Sequence, residues 1–289
     1  MQPELLFDAK ARLGEGPTWD AKTDTLYWVD IHGKRIHKWG DVLLQLDDMP
    51  GCVVPMKNGR LLFSLSGPQG RFSFVDLDPA SGGQTVIGAV GSERPVNRFN
   101  DGKCDPAGRL LAGTMDLNET DYSGSLYSFD GRNVMKLFGD VCISNGLTWS
   151  PDHKTFYYID TPTREVRAFD YDVTSGQIAN QRRAVYFTEG LGWPDGMTSD
   201  TEGNLWVAMW GGAQLTKWDP NSGKLLEQIP MPVLQPSSCV FGGVDMNELY
   251  ITSARKGMSE EELNKYPLSG GVFRLVTKTQ GMPTFEFAA

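Results

Sequence analysis

A short apolar run recurs six times along this chain of 289 residues, and no other feature restricts its fold so tightly. The runs are Leu26–Asp30, Leu61–Ser64, Leu110–Thr114, Thr155–Asp160, Leu205–Ala208 and Leu249–Thr252. Their starts lie roughly 35 to 50 residues apart, the period of a propeller blade. Each follows a turn signal, such as Lys57-Asn58-Gly59, Pro106-Ala107-Gly108 or Thr201-Glu202-Gly203. Each is followed by a second strand, as in Arg35–Trp39, Gly124–Phe129 and Leu215–Trp218. That is a strand–turn–strand hairpin repeated along the chain. The expected fold is all-β: a six-bladed β-propeller of four-stranded antiparallel blades, one domain over 1–289. A jelly roll or sandwich would not keep this period over the full length. The ring is expected to close by pairing a strand near Leu5-Leu6-Phe7 with the last blade. The one helical pattern, Ser259–Asn264, is short.

Composition narrows the function classes. A net charge of −9 argues against a nucleic-acid surface, which needs clustered Lys and Arg. No run of about 18 apolar residues is present, so no membrane span is expected. Met1-Gln2-Pro3-Glu4 has no basic region leading into an apolar stretch, which together with scattered cysteines predicts a cytoplasmic protein with reduced thiols. Three histidines, His32, His37 and His153, are too few and too scattered for a His-rich zinc site.

A propeller places equivalent points of its blades around one axis. About ten positions upstream of each core strand, where the innermost strand should begin, stand Glu15, Gly51-Cys52, Asn100, Asn145, Asp195 and Ser238. Glu15 and Asp195 are carboxylates able to neutralise a dication, and Asn145 and Asn100 add amide oxygens. Asn-Gly and Asp-Gly are everyday turn signals singly. Four oxygen donors in one phase of four blades are harder to assign to turns, and they predict a metal or polar-ligand site in the axial mouth. The donor set suits Ca, Mg, Mn, Fe(II) or Zn. Trp28, Trp149 and Trp206 are expected in the packing, and Trp193 or Trp210 could stack on a sugar face. Lys103 is expected to form a local ion pair, and Cys52 and Cys239 are not expected as ligands beside so many oxygens.

At these residues the chain resembles the family that groups regucalcin (senescence marker protein), gluconolactonases and luciferin-regenerating enzymes. The resemblance starts at Leu13–Trp19, its most specific stretches are Arg98–Lys103, Ala112–Met115, Ile143–Ser150 and Pro194–Met197, and Tyr250–Arg255 extends it into the last blade. The resemblance implies one divalent metal held by Glu15, Asn145 and Asp195, with Arg98 and Asn100 on the hydroxyls of a sugar. The pattern departs at 116–124, where regucalcin-like proteins have a longer loop carrying a substrate-facing Glu. Asp116, Glu119 and Asp121 are the candidates to replace it, with Glu119 taken as the substrate-binding residue.

The function implied is metal-dependent hydrolysis of a sugar lactone to its aldonic acid, with the metal polarising the carbonyl and Asp195 assisting the attacking water. The partner expected is a small-molecule lactone, with no nucleic acid or membrane, on a monomer or weak homo-oligomer. Two alternatives share the scaffold: an aryl-ester or organophosphate hydrolase, and a non-enzymatic calcium-binding regulator. No Gly-x-Ser-x-Gly nucleophile motif occurs.

Overall fold

The protein is described here by a computed structural model covering residues 2–91 and 93–288. Twenty-four strands form six four-stranded antiparallel sheets arranged as blades around a central channel. The innermost strands are Gly14–Asp20, Met49–Pro55, Asn97–Cys104, Ser144–Trp149, Trp193–Ser199 and Pro236–Gly242. They open blades 1 to 6 in chain order, and each lies against the innermost strands of its two neighbours.

The apolar runs form the second strand of every blade, and their composition follows from burial on both faces. A strand with two covered faces reads as a continuous apolar run instead of alternating with polar residues. Leu26 and Trp28 pack toward blade 6, while Tyr27 and Val29 pack toward blade 2. In blade 5, Leu205 and Val207 face blade 4, and Trp206 and Ala208 face blade 6. The six blade interfaces thus hold six apolar clusters. Trp28, Trp206 and Trp149 are buried within them, as their positions in the runs predicted. Cys52 and Cys239 belong to the same clusters, and all four cysteines are buried free thiols.

Ring closure follows the expected plan. Glu4–Phe7 pairs antiparallel with Val272–Val276 and becomes the outermost strand of blade 6. An early strand and the last strand therefore share one sheet, and this pairing closes the ring. The helix is Glu260–Lys265, capped by Ser259, whose side chain accepts from Glu262 N while the Glu262 carboxylate accepts from Ser259 N. No helix is long and apolar enough to cross a membrane among the described residues.

The sequence pattern gave no sign of one feature. Residues 277–288, beyond the last strand, run across the end of the channel opposite the mouth. Met282 N donates to Ser199 O on blade 5, Phe285 packs on Trp149 of blade 4, and Phe287 N donates to Pro55 O on blade 2. Phe287 is fully buried between blades 2 and 3, stacked on Phe129 with centroids 5.5 Å apart. Phe287→Ala is expected to cost about 3 kcal/mol, the usual penalty for emptying a buried aromatic site. Denaturant unfolding checks this: a midpoint unchanged from the parent would show that the strap does not hold the ring.

Candidate metal and substrate site

Every innermost strand breaks register at the same height. The bulges fall at Glu15–Thr18, Pro50–Val53, Phe99–Gly102, Asn145–Leu147, Pro194–Met197 and Pro236–Ser238. A bulge adds an unpaired residue and re-aims the side chains beside it. The Gly and Pro residues of the phase positions are explained by this. Gly16 sits at φ +51°, in the left-handed region. A Cβ on Gly146 would lie 2.8 Å from Asp195 O, so the backbones of blades 4 and 5 approach there as only glycine allows.

The bulges bring four of the six phase positions to one cavity of about 390 Å³ at the mouth, lined by Glu15, Asn100, Asn145 and Asp195. Arg98 and Glu119 line it too. Gly51-Cys52 and Ser238 do not. None of the three histidines lines it either.

Glu15 and Asp195, from blades 1 and 5, are both buried. Burial, and then neighbouring carboxylates, works against their ionisation. Glu15 is pushed up to about 8, by burial first and Asp101 second. Asp195 is raised well above the carboxylate range, by burial first and Glu15 second. Asp195 Oδ1 is buried without a hydrogen-bond partner. Such an oxygen carries a full desolvation cost unless something outside the chain meets it.

The two asparagines are held with defined orientations. Asn145 Nδ2 donates to Thr161 Oγ1 (2.9 Å), which itself donates to Pro194 O (2.8 Å). Asn100 Nδ2 donates to Ser144 O (2.7 Å) and more weakly to Asn145 Oδ1 (3.3 Å). Arg98 is 3% exposed and donates through one nitrogen, Nη1, to Phe99 O and Asn100 Oδ1. Asn100 is thereby a brace between Arg98 and Asn145.

Of the three acids in 116–124, Glu119 is the one at the cavity. Asp116 accepts from Thr120 N and Asp121 N, shaping its own loop. Asp121 pairs with Arg94 at 2.6 Å on the exposed side. Glu119 forms an ion pair with Lys256 instead. Trp193 and Trp210 both line the cavity, with the Arg164 guanidinium 3.7 Å over the Trp193 ring.

One expectation is corrected. Lys103 makes no local ion pair; it reaches across the channel, its Nζ donating to Met197 O of blade 5 (2.9 Å). The structure also adds residues that the phase argument missed. Thr161 and Lys256 leave the second strands of blades 4 and 6 and reach the mouth from there. Leu13, Met115, Ile143 and Pro162 form an apolar wall. The signal was present in a second phase, just after each apolar run. Asp30 and Asp160 close two of those runs and accept from the backbone amides of Leu13 and Ile143, so they hold the loops that carry that wall.

The donor set fits a divalent cation: two carboxylates, one of them with a buried oxygen that has no partner in the chain, and the amide oxygen of Asn145, whose amide is oriented by Thr161.

A six-bladed propeller with an oxygen-lined mouth defines a class, and comparison with known proteins gives the family. Residues 13–255 match the family described as the SMP-30/Gluconolactonase/LRE-like region. The chain belongs to that family. It is 40% identical to regucalcin of Danio rerio over 98% of this chain and 97% of the relative. It is 41% identical to regucalcin of Gallus gallus, covering 99% and 98%. Among solved structures, a calcium-binding protein, regucalcin, from Agrobacterium tumefaciens superposes with a TM-score of 0.92 at 28% identity, covering 99% of this chain and 97% of that one. A luciferin-regenerating enzyme gives 0.87 at 34% identity, covering 97% and 96%. A gluconolactonase from Xanthomonas campestris gives 0.75 at 25% identity, covering 95% and 89%.

Proposed function

We propose that the protein hydrolyses a sugar lactone to its open-chain acid with one divalent cation held by Glu15, Asn145 and Asp195. The observation that carries this reading is the partnerless, buried Asp195 Oδ1 beside Glu15 on the floor of a cavity walled by Arg98 and Asn100. The gluconolactonase among the structural relatives supports the reaction, and the calcium-binding regucalcin among them supports the cation.

When bound, a divalent cation supplies a Lewis acid toward the ester carbonyl and steadies the charge that develops on its oxygen. The chain's own residues do the rest. Asp195 Oδ1 accepts a proton from the water that adds to the carbonyl carbon. The ring C–O bond then breaks, and the leaving oxygen takes that proton back from Asp195 to become the hydroxyl of the product acid. Arg98 Nε and Nη2 remain available to the ring hydroxyls, since only Nη1 is committed to the chain. Asn100 keeps that guanidinium in place, which lowers the entropic part of the barrier. Trp193 and Trp210 offer flat apolar surface to a sugar ring, and Leu13, Met115 and Ile143 reduce the water around it.

That apolar wall also suits an aryl ester or organophosphate, the second reading on this scaffold. A substrate panel separates the two: five- and six-membered aldonolactones, an aryl acetate and an aryl phosphotriester, each with Ca, Mg, Mn or Zn. We expect acceleration of an aldonolactone by at least about 10²-fold over the aryl substrates, the scale of a well-placed polar site rejecting a ligand that leaves it unpaired. Lactones left at their spontaneous rate with every cation would defeat the lactonase reading.

A further inference from the structure

The mouth of the cavity carries an arrangement of charge that hydrolysis of a neutral ring does not require. Glu119 comes from the 117–123 connection of blade 3, and Lys256 from the connection that follows Glu248–Ser253 in blade 6. Blades 3 and 6 stand opposite each other in a ring of six, so the Glu119–Lys256 ion pair bridges the mouth. Its side chains are only partly exposed, 35% for Glu119 and 27% for Lys256. Glu119 is held in place from below, since Cys142 Sγ approaches its carbonyl oxygen at 3.7 Å. Its backbone is in the left-handed region, at φ +62°.

The third charge is Arg98. Its hydrogen bonds go to two uncharged acceptors, Phe99 O and Asn100 Oδ1, and the carboxylate that acts on it most is Glu119. The upper part of the cavity therefore holds two cations and a single carboxylate. Glu15 and Asp195 do not correct the imbalance once a dication is bound, because their two charges are matched by its two. A buried guanidinium with free donors beside an ammonium that shares its only anion is a place where one further negative charge is favoured.

We infer that Lys256 is a specificity-determining residue, and that the preferred substrate is a lactone carrying a free carboxylate, as the lactone of a dicarboxylic sugar acid does. The inference rests on the lactonase reading for its reaction, but on rim charge alone for its selectivity. The ester carbonyl lies at the floor, where Glu15, Asn145 and Asp195 converge. The ligand carboxylate lies at the rim, shared between Lys256 and one free nitrogen of Arg98, while the other free nitrogen of Arg98 keeps the ring hydroxyls. A neutral lactone fills the same space but leaves the rim charge unmatched, and a cationic one is repelled.

The test compares two lactones of equal ring size, one neutral and one bearing a carboxylate, on the parent protein, Lys256→Met and Lys256→Arg. Met keeps the length of the stem and removes the charge; Arg restores it. The parent is expected to favour the carboxylate-bearing lactone in kcat/KM by about tenfold at low ionic strength, the scale of one partly screened charge pair. Lys256→Met should collapse that ratio toward one, Lys256→Arg should recover most of it, and added salt should lower it in the parent and in Lys256→Arg but not in Lys256→Met. A parallel measurement needs no turnover: quenching of intrinsic tryptophan fluorescence by the open-chain mono- and dicarboxylic sugar acids. Tighter binding of the dicarboxylate, erased in Lys256→Met, supports the assignment even if no lactone is hydrolysed, in which case only the lactonase reading falls. Equal handling of the two lactones by the parent, or an equal loss on both in Lys256→Met, overturns the inference.

Discussion

Asp195→Asn is expected to lower kcat/KM for lactone hydrolysis by about 10³-fold or more, while making the metal-free protein harder to unfold. Both effects come from one atom. Asp195 Oδ1 is buried without a partner, and the charge it would carry faces that of Glu15. An amide keeps the volume and removes the repulsion, so the cation-free fold gains stability as its chemistry is lost. Strain of this kind collects at functional sites, where the fold holds a group in a state it would not otherwise adopt. Steady-state rates and thermal unfolding of the chelated protein check the two halves. A variant that is inactive and also less stable would assign Asp195 a packing role instead.

Glu15→Gln should weaken binding of the divalent cation by about 100-fold, since it removes half of the site's negative charge. It should also change how stability varies with pH. Glu15 is pushed up to about 8 in the fold against 4.5 ordinarily, by burial and then by Asp101. Between these values the unfolded chain has released a proton that the metal-free fold retains, so stability falls as pH rises. The metal-free protein should therefore be more stable near pH 5 than near pH 8, by an amount on the order of a few kcal/mol. A cation reverses the trend, because it binds the ionised form. Its stabilising effect should be larger at pH 8 than at pH 5. In Glu15→Gln the slope should flatten, leaving the part that Asp195 contributes. Isothermal titration with Ca or Mn, and melting of chelated and loaded protein at both pH values, measure this. A cation affinity equal to the parent's would remove Glu15 from the ligand set.

The blade count and the phase of the mouth were legible in the sequence because both follow from a repeat. A strand buried on two faces must be apolar throughout, so Leu26–Asp30 and its five equivalents stand out of the chain. A bulge at a fixed height needs Gly or Pro, so Gly16, Gly146 and Gly196 mark it. Glu15, Asn100, Asn145 and Asp195 were found by their position about ten residues upstream of the apolar runs. What stayed hidden does not repeat. Lys256 leaves a strand end in one blade only, and its partner Glu119 belongs to a loop 137 residues away in sequence. The identity of that partner among Asp116, Glu119 and Asp121 depends on how one loop folds back on Asp116. The strap at 277–288 has no equivalent in any blade, so nothing in the repeat announced it. Lys103 was misassigned for a related reason. Its partner, Met197 O, is brought close by the ring, and a neighbour in sequence was the wrong place to look.

Lactone hydrolysis at this site requires the cation if Glu15, Asn145 and Asp195 hold it for the reaction. Protein stripped with a chelator, and the same protein reloaded with one divalent cation per chain, would be followed on an aldonolactone by acid release at constant pH. The stripped protein should leave the lactone at its spontaneous rate, and activity should return in proportion to cation and saturate at one equivalent. Full activity in the stripped protein would contradict the account.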